Sequence, residues 1–367
     1  MTRGLGEKPA RYSTIYFMSS LFLRFVDIDT KSDISFWETL RGKRPFFALA
    51  PMADATDNAF REIIACKSRM GEPDGGPDVM WTEFVSCNGL ASKGCEILLR
   101  DLAYTQTQRP IVAQIFGGNP DNCFKAAKIV ARLGFDGIDI NMGCPEDKIV
   151  KQGAGADLIR HPERAKEVVR AVREGVAAAG MSTPISVKTR IGFNTDTLED
   201  WIPELLSLEL SALTVHARTR KDMSFVPARW ERVARTVELR DKYAPKTFII
   251  GNGDVASRED GNMKAKETGA DGIMIGRAVF GNPWLFGGRE TADISPKEKI
   301  ETLLEHTKLY KEIHGDKNFA IMKKHYSAYV RGWDHAKEFR IRLMEAENYD
   351  EVERMIDECL GNLDKTI

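Results

Sequence analysis

The 367-residue sequence predicts an α/β protein, a (β/α)8 TIM barrel followed by a small C-terminal all-helical domain. Short apolar runs rich in strand-forming residues recur from Phe46 to Ile275, and segments with apolar spacing near 3.6 separate them. After Phe286 the strand-like runs stop and only helical spacing continues. Eight strand–helix units over roughly 240 residues match a closed barrel in number and size.

Eight strands and five long helices between them are predicted in chain order. The strands are Phe46–Pro51, Val79–Val85, Ile111–Phe116, Gly137–Met142, Ile185–Thr189, Ala212–His216, Thr247–Gly251 and Gly272–Ile275. The helices are Pro120–Leu133, Pro162–Ala179, Leu198–Leu208, Trp230–Lys242 and Arg258–Thr268. An open doubly wound sheet is the rival fold, but it usually shows an early strand–GxGxxG–helix fingerprint, which this sequence lacks.

The predicted domains are an N-terminal extension of unassigned role (residues 1–40), the barrel (41–290) and the helical domain (291–367). The last of these is predicted to contain the helices Pro296–His314, Asn318–Arg331, Asp334–Ala346 and Tyr349–Leu360. The Gly287-Gly288 pair marks the expected boundary because glycine disfavours continuation of either type of element.

Composition excludes several classes of protein. A net charge of −1 means that any nucleic-acid surface is a local patch. The six cysteines lack CxxC spacing, so neither a metal site nor a disulfide framework is expected, and a reducing compartment is favoured. The sequence contains no run of about 18 apolar residues, so no membrane span is predicted. We expect a monomer in the cytoplasm. The first forty residues faintly resemble a transit peptide, which an extra helix or an upstream translation start explains equally well.

Polar or glycine residues stand where each predicted strand ends. They are Pro51-Met52-Ala53, Thr82-Glu83, Gln114, Asn141 with Cys144, Lys188 with Arg190, His216 with Arg218, Asn252-Gly253-Asp254 and Gly276-Arg277. In a barrel all of these lie at the C-terminal mouth, where barrel enzymes build their active sites.

The last two strand ends indicate a phosphate-bearing ligand. Glycines in 251–254 and 275–277 let backbone N–H groups approach a phosphate, and Arg277 adds a charge-assisted partner. The alternative is that these glycines only form tight turns. Lys188 is costly in a barrel mouth unless it faces an anion or an electron-rich ring, such as a reduced flavin. Gln114 could bind the pyrimidine edge of that ring. The alternative for His216 is a structural histidine.

Cys144 follows the strand Gly137–Met142 in a Gly-Cys-Pro corner, three residues after Asn141. The glycine-rich segment 153–156 is expected to leave room for a flat group or a phosphate. The alternative is that Cys144 is a buried small hydrophobe, as free cysteines often are.

Taken together, these motifs resemble the tRNA-dihydrouridine synthases. The resemblance runs in order through Ala50-Pro51-Met52-Ala53, Thr82-Glu83, Gln114-Ile115-Phe116-Gly117, Asn141-Met142-Gly143-Cys144-Pro145, Lys188-Thr189-Arg190-Ile191-Gly192, His216-Ala217-Arg218-Thr219, Asn252-Gly253-Asp254 and Gly276-Arg277. It continues into the tail at Met322-Lys323-Lys324-His325 and Tyr329-Val330-Arg331-Gly332. The Asn-x-Gly-Cys-Pro motif is the most specific of them.

The resemblance implies an FMN enzyme that uses NADPH to reduce the C5–C6 double bond of particular uridines in tRNA. Flavin N5 would deliver hydride to C6, and Cys144 would be the catalytic proton donor to C5. The implied FMN contacts are Pro51, Met52, Ala53, Gln114, Lys188, His216, Asn252, Gly253, Asp254, Gly276 and Arg277. The expected tRNA contacts are Asn141, which would hold the uracil, with Arg190, Lys323, Lys324 and Arg331.

The tail between Lys317 and Arg342 carries seven cations against two acids, with Tyr326, Tyr329 and Trp333 among them. Such a patch suits phosphate attraction and base stacking on RNA. The alternative is an ordinary solvated helix face with core aromatics. Two other functions remain open: a flavin barrel acting on a small pyrimidine such as dihydroorotate, and a non-catalytic RNA-binding protein.

Overall fold

Eight parallel strands close into a barrel in chain order, β1 to β8, in the computed structural model. The structure describes residues 35–42, 45–315 and 317–363. The strands are β1 Phe46–Leu49, β2 Val79–Ser86, β3 Ile111–Phe116, β4 Gly137–Met142, β5 Ile185–Arg190, β6 Ala212–His216, β7 Phe248–Asn252 and β8 Gly272–Ile275. The predicted TIM barrel is therefore confirmed, with strand bounds within two residues of those expected.

The helices stand between and after the strands. They are α1 Phe36–Leu40, α2 Asn58–Lys67, α3 Cys87–Leu90, α4 Cys95–Leu99, α5 Pro120–Ala131, α6 Asp147–Val150, α7 Pro162–Ala178, α8 Leu198–Leu206, α9 Trp230–Tyr243, α10 Arg258–Thr268, α11 Pro296–His314, α12 Lys323–Tyr329, α13 Ala336–Glu345 and α14 Tyr349–Leu363. Local sequence sets several starts: Asp57, Asn119, Ser257 and Ser295 each cap a helix through a side-chain oxygen.

Helix α7 shows how the outer ring packs on the barrel. Its buried positions include Ala165, Val168, Val169, Val172 and Val176, which recur at helical spacing along one face. Proline at the first position suits a helix start, because the N–H that it lacks would have no partner there. The central core is thus made by the outward faces of strands and the inward faces of helices.

An aromatic cluster fills the N-terminal end of the barrel. Trp37 of α1 lies 5.7 Å from the Phe248 ring, 6.1 Å from Phe46 and 6.2 Å from Trp81. Phe46 and Phe248 are the first residues of their strands, so this cluster marks the end opposite the mouth. Part of the predicted extension 1–40 therefore packs under the barrel, and residues 1–34 lie outside the described residues.

The tail forms a helical layer with a second hydrophobic core. That core includes Leu303, Tyr326 and Leu343 together with Ala59 and Trp284 from the barrel region. The helical character of the tail is confirmed, while the boundary at residue 290 stays a prediction.

One predicted tail helix differs from the observed structure. The expected single helix Asn318–Arg331 is a 3-10 turn, Phe319–Met322, followed by the short α12, which ends at Val330 (φ −90°, ψ 80°). Within the described residues, no helix is both long and apolar enough to cross a membrane.

Candidate active site

The predicted site residues lie side by side at the carboxyl ends of the strands. Asn141 on β4 is in register with Lys188 on β5. Arg190 is in register with His216 on β6, and His216 with Asn252 on β7. Because residues in register, and residues two apart on one strand, share a face of the sheet, these five side chains line the inside of the mouth in two adjacent tiers. Asn141 and Lys188 form the deeper tier, and Arg190, His216 and Asn252 form the outer tier.

A hydrogen-bonded relay runs across the barrel interior below these two tiers. Asp139 is fully buried and accepts hydrogen bonds from Gln114 Nε2 and Ser186 Oγ, each over 2.6 Å. Gln114 Oε1 then accepts a bond from Asn141 Nδ2 over 2.9 Å. A carboxylate only accepts, so it fixes which way the Gln114 amide faces. Burial raises the pKa of Asp139 to about 6, which leaves it mostly ionised at neutral pH.

Asn141 also holds the loop that carries the cysteine. Its Oδ1 accepts hydrogen bonds from the backbone N–H of Gly143 (3.1 Å) and of Cys144 (2.8 Å). The Cys144 carbonyl in turn accepts the N–H of Ala156 over 3.0 Å. Gly155 has φ +60°, and a Cβ there would lie 2.9 Å from that carbonyl oxygen. The glycine-rich segment was expected to admit a flat group or a phosphate; Gly155 instead lets the chain pack against the cysteine loop.

The Cys144 thiol has the properties of a proton donor. It is half-buried, and this burial raises its pKa above the ordinary value despite the nearby cations Arg190 and Lys188. A raised pKa keeps the thiol protonated at neutral pH, whereas a nucleophilic cysteine needs a lowered one.

Arg190 ties this loop to the loop after β6. Its Nε donates to the Gly143 carbonyl over 2.7 Å, and its Nη1 donates to the carbonyls of Thr219 (3.0 Å) and Met223 (3.3 Å). The side chain is 7% exposed. Most of its donors are therefore committed to backbone carbonyls, and its expected contact with tRNA stays a prediction.

Arg220 makes a second tie between the same two loops. Its Nε donates to the Pro145 carbonyl over 3.3 Å, and its guanidinium pairs with Asp147. The Phe193 ring lies beneath this guanidinium at 5.3 Å and beneath that of Arg160 at 4.1 Å. The cysteine loop is thus clamped on the side of the barrel where β5 and β6 end.

The mouth contains more cations than anions. Burial, with Arg190 nearby, lowers the pKa of Lys188 to about 8. Burial and the surrounding cations Lys188, Arg190, Arg218 and Arg277 hold the pKa of His216 well below its usual range, so the imidazole is neutral. Lys188 Nζ has no hydrogen-bond or ion-pair partner among the described residues. A charged amine without a partner in such a place fits an anionic or electron-rich ligand.

Asp254 orders the cations at the end of β7. Its carboxylate pairs with Arg218 and with Arg277 Nη2 (3.1 Å), and accepts the N–H of Ala228 over 3.0 Å. Gly253 has φ +127°, and a Cβ there would lie 2.9 Å from the Ala228 Cβ. The side chain of Asp254 is therefore engaged with protein, which leaves the turn backbone and Arg277 as the groups that fit a phosphate.

The loop after β1 meets the loop after β8 at the same place. A Cβ on Gly276 would lie 3.5 Å from the Met52 sulfur, so Pro51-Met52-Ala53 borders Gly276-Arg277. Met52 is fixed by Thr56, whose hydroxyl accepts the Met52 N–H over 2.9 Å. The residues expected to hold FMN are thus brought together and fit a phosphate-bearing ring system.

The tail approaches the mouth near the end of β2. Lys317 Nζ pairs with Asp101 over 2.7 Å, and His314 Nε2 lies 3.9 Å from Asp57 Oδ1. These groups affect Glu83, which lies three residues before the end of β2. Burial and Asp57 raise the pKa of Glu83 to about 7, and Lys317 acts in the opposite direction.

The tail aromatics do not match the base-stacking expectation. Tyr326 and Tyr329 are fully buried in the tail core, so their proposed stacking on RNA is wrong. Lys323 and Lys324 are half-buried and Arg331 is exposed, and their tRNA contacts stay predictions.

Two residues of this site were missed by the sequence reasoning. Asp139 lies two residues before Asn141, so the alternation of a strand already placed it on the same inward face. Arg220 carried no comparable signal, because its partners Asp147 and Pro145 lie 73 and 75 residues away in the chain.

Comparison with known proteins gives one family. The model of the family described as dihydrouridine synthase (Dus) matches residues 48–364. A probable tRNA-dihydrouridine synthase of Staphylococcus aureus (strain COL) is 35% identical over 337 residues, covering 91% of this chain and 98% of the relative. The probable tRNA-dihydrouridine synthase 2 of Bacillus subtilis (strain 168) is 37% identical over 328 residues, covering 88% and 96%.

Among solved structures, histamine dehydrogenase from Rhizobium sp. 4-9 superposes with a TM-score of 0.49 at 14% identity. The superposition covers 72% of this chain and 48% of that one.

Proposed function

Because the chain belongs to the dihydrouridine synthase family, we propose that it is a tRNA-dihydrouridine synthase, an oxidoreductase that reduces the C5–C6 double bond of uridines in tRNA. We also propose FMN as its cofactor and NADPH as its electron donor. One observation carries the proposal furthest. A protonated, half-buried thiol stands at the end of β4, held by Asn141, beside a mouth with excess positive charge.

The residues that would hold FMN lie on the inside of the mouth and on the loops around it. They are Pro51, Met52, Ala53, Gln114, Lys188, His216, Asn252, Gly253, Asp254, Gly276 and Arg277. Bound FMN, once reduced by NADPH, supplies the hydride for C6 of uracil. Lys188 would provide a positive charge for the flavin, and Arg277 with the turn backbone would hold the phosphate.

Cys144 holds the proton that C5 receives. Its raised pKa keeps that proton in place until transfer, and such a general acid typically contributes about 10²–10⁴ in rate. Asn141 uses one Nδ2 hydrogen on Gln114, which leaves the other for a uracil carbonyl. A uridine in folded tRNA must be turned out of its stack to reach these groups.

The alternative, a flavin barrel that reduces a small pyrimidine, would use the same mouth. The relatives are named as tRNA-dihydrouridine synthases, and their alignment covers about nine-tenths of the chain, tail included. This similarity favours tRNA over a small pyrimidine as the substrate. A third function, non-catalytic RNA binding, is disfavoured by the ordered cysteine loop and the unpartnered Lys188.

The proposed function is tested by following flavin absorbance without oxygen. The enzyme is reduced with NADPH and mixed with unmodified tRNA, with free uridine or with orotate. We expect rapid reoxidation by tRNA alone, with dihydrouridine found in the product. Reoxidation by a small pyrimidine alone would establish the alternative, and a purified protein that takes up no flavin would favour the non-catalytic one.

A further inference from the structure

The loop after β6 presents an apolar tip at the rim of the mouth. We call residues 219–229 the rim loop. Its Phe225 is 86% exposed, and Val226 and Met223 are 39% and 37% exposed. A single exposed apolar side chain needs no explanation, but three on one loop, led by an almost bare phenyl ring, form a small patch beside a site.

The rim loop is held in this conformation by hydrogen bonds. Asp222 Oδ2 accepts the N–H of Thr219 over 2.8 Å and also pairs with Arg229, which closes the loop at its base. The N–H of Phe225 donates to the Asp222 carbonyl over 2.9 Å. The ring is therefore presented to solvent by an ordered turn.

The rim loop is joined directly to the cysteine loop. One guanidinium, Arg190, reaches both the Gly143 carbonyl (2.7 Å) and the Met223 carbonyl (3.3 Å). One guanidinium therefore bridges Met223 and the residue preceding Cys144. Phe225 is two residues further along the same loop, so its exposed ring is carried by a loop that is joined to the cysteine loop.

The charges around this tip suit a polyanion. The loop's acid, Asp222, is neutralised by Arg229, and Arg218 and Arg220 are paired with acids outside the loop. Lys221 is exposed and has no ion-pair partner among the described residues. An exposed aromatic ring and an exposed cation on one loop are groups that bind a stacked base and its phosphate.

We propose that Phe225 is a stacking platform for a base of the tRNA next to the target uridine, with Met223 and Val226 supporting it. This inference rests on the proposed function. When the target uridine leaves the stack, the neighbouring base loses a stacking partner. The Phe225 ring takes the place of that partner, which keeps the target base turned out toward Cys144. The rim loop thus completes the substrate site from the barrel side.

The test compares Phe225→Ala, Phe225→Leu and Phe225→Trp with the matched control Tyr243→Ala. Tyr243 is also an exposed aromatic (50%), but it ends α9 and leads into the start of β7, at the opposite end of the barrel. Two quantities are measured: the dissociation constant for unmodified tRNA by filter binding, and the rate of flavin reoxidation by tRNA without oxygen. The oligomeric state of each variant is checked by light scattering.

We expect Phe225→Ala to weaken tRNA binding or reoxidation by about 5- to 100-fold, the usual range for loss of one stacked base. Phe225→Trp should keep wild-type values, Phe225→Leu should resemble Ala, and Tyr243→Ala should change neither quantity. Wild-type values for Phe225→Ala, or full function in Phe225→Leu, would overturn the inference. A wild-type dimer that Phe225→Ala dissociates would also overturn it, since the ring would then bind a second copy.

The wild-type enzyme separates failure of this inference from failure of the proposed function. If tRNA does not reoxidise the wild-type flavin, the proposed function fails at that step. If it does and the Phe225 variants match the wild type, the inference alone fails.

Discussion

The side-chain Oδ1 of Asn141 accepts the backbone N–H of Cys144 over 2.8 Å, so one strand residue positions the thiol that follows it. The same Asn141 donates to Gln114, which is held in turn by the buried Asp139. The thiol is therefore positioned from the middle of the barrel as well as from its own loop.

Replacing Cys144 by Ala should separate the two halves of the reaction. We expect Cys144→Ala to bind FMN and to be reduced by NADPH as before, because the thiol holds only the proton for C5. Reoxidation by tRNA should slow by about 10²–10⁴-fold. Stopped-flow absorbance measures both steps. Cys66→Ala, on the exposed cysteine of α2, is the control, and full reoxidation by Cys144→Ala would remove this residue from the mechanism.

Replacing Asp139 by Leu should destabilise the protein and weaken flavin binding together. The change leaves Gln114 Nε2 and the Ser186 hydroxyl without their acceptor, and each buried unsatisfied group costs about 1–3 kcal/mol. Urea unfolding of the flavin-free protein measures the loss. The double variant Asp139→Leu/Ser186→Ala removes one of the two unsatisfied groups, the Ser186 hydroxyl, and should recover part of the lost free energy of unfolding. Equal stability of wild type and Asp139→Leu would show that the relay contributes nothing.

The affinity for FMN should depend on pH through Lys188. The pKa of this amine is about 8 without ligand, and its charged form is the one that suits the flavin. The dissociation constant of flavin-free protein for FMN should be flat near pH 7 and rise above pH 8, toward roughly tenfold per pH unit. Flavin fluorescence quenching measures it. Lys188→Met should bind weakly with no such rise, whereas Lys221→Met should behave like the wild type; a rise in Lys188→Met would assign the titration to another group.

Acid should destabilise the packing of the tail on the barrel. His306 and His325 are fully buried with ring centroids 4.6 Å apart, and burial lowers the pKa of His306 to about 3 and that of His325 well below its usual range. Below pH 6.5 the unfolded chain binds protons that the native state excludes, so stability falls as pH falls. Each histidine should remove about 1.4 kcal/mol per pH unit.

Urea unfolding at pH 7.5 and 5.5 measures that loss. His325→Phe should reduce the loss of stability between the two pH values by the contribution of one histidine. His335→Asn, at an exposed histidine, should leave the loss unchanged. An identical pH dependence in wild type and His325→Phe would place the acid sensitivity elsewhere.

Much of this architecture is predictable because a barrel repeats one unit. Gln114, Asn141 and Lys188 were predicted at the mouth because they stand where strands end, and the C-terminal ends of parallel strands converge in a barrel. The repeat pattern does not predict which side chains contact each other across the mouth. The hydrogen bond from Arg190 to the Met223 carbonyl depends on the conformation of the loops after β4 and β6, and the periodicity of the sequence does not determine those conformations.

The tail shows a misinterpretation that the sequence could have prevented. Met322, His325, Tyr326 and Tyr329 follow spacing i, i+3, i+4, i+7, the pattern of a buried helix face. Their role in the core follows from that spacing, whereas the interpretation as an RNA platform relied on composition alone. The break at Val330 had no such signal, because tertiary packing decides where a short helix ends.

Phe60, on the barrel helix α2, lies 5.0 Å from the His306 ring and 4.6 Å from the His325 ring, while its neighbour Ala59 belongs to the tail's own core. A barrel without this tail would expose the Phe60 ring, so the barrel and the tail are not independent units that gene fusion or recombination could join or exchange without further change. New substrate preferences in this lineage are therefore expected to arise through point changes on the outer surface of the tail, while α2 and the tail core change only in concert.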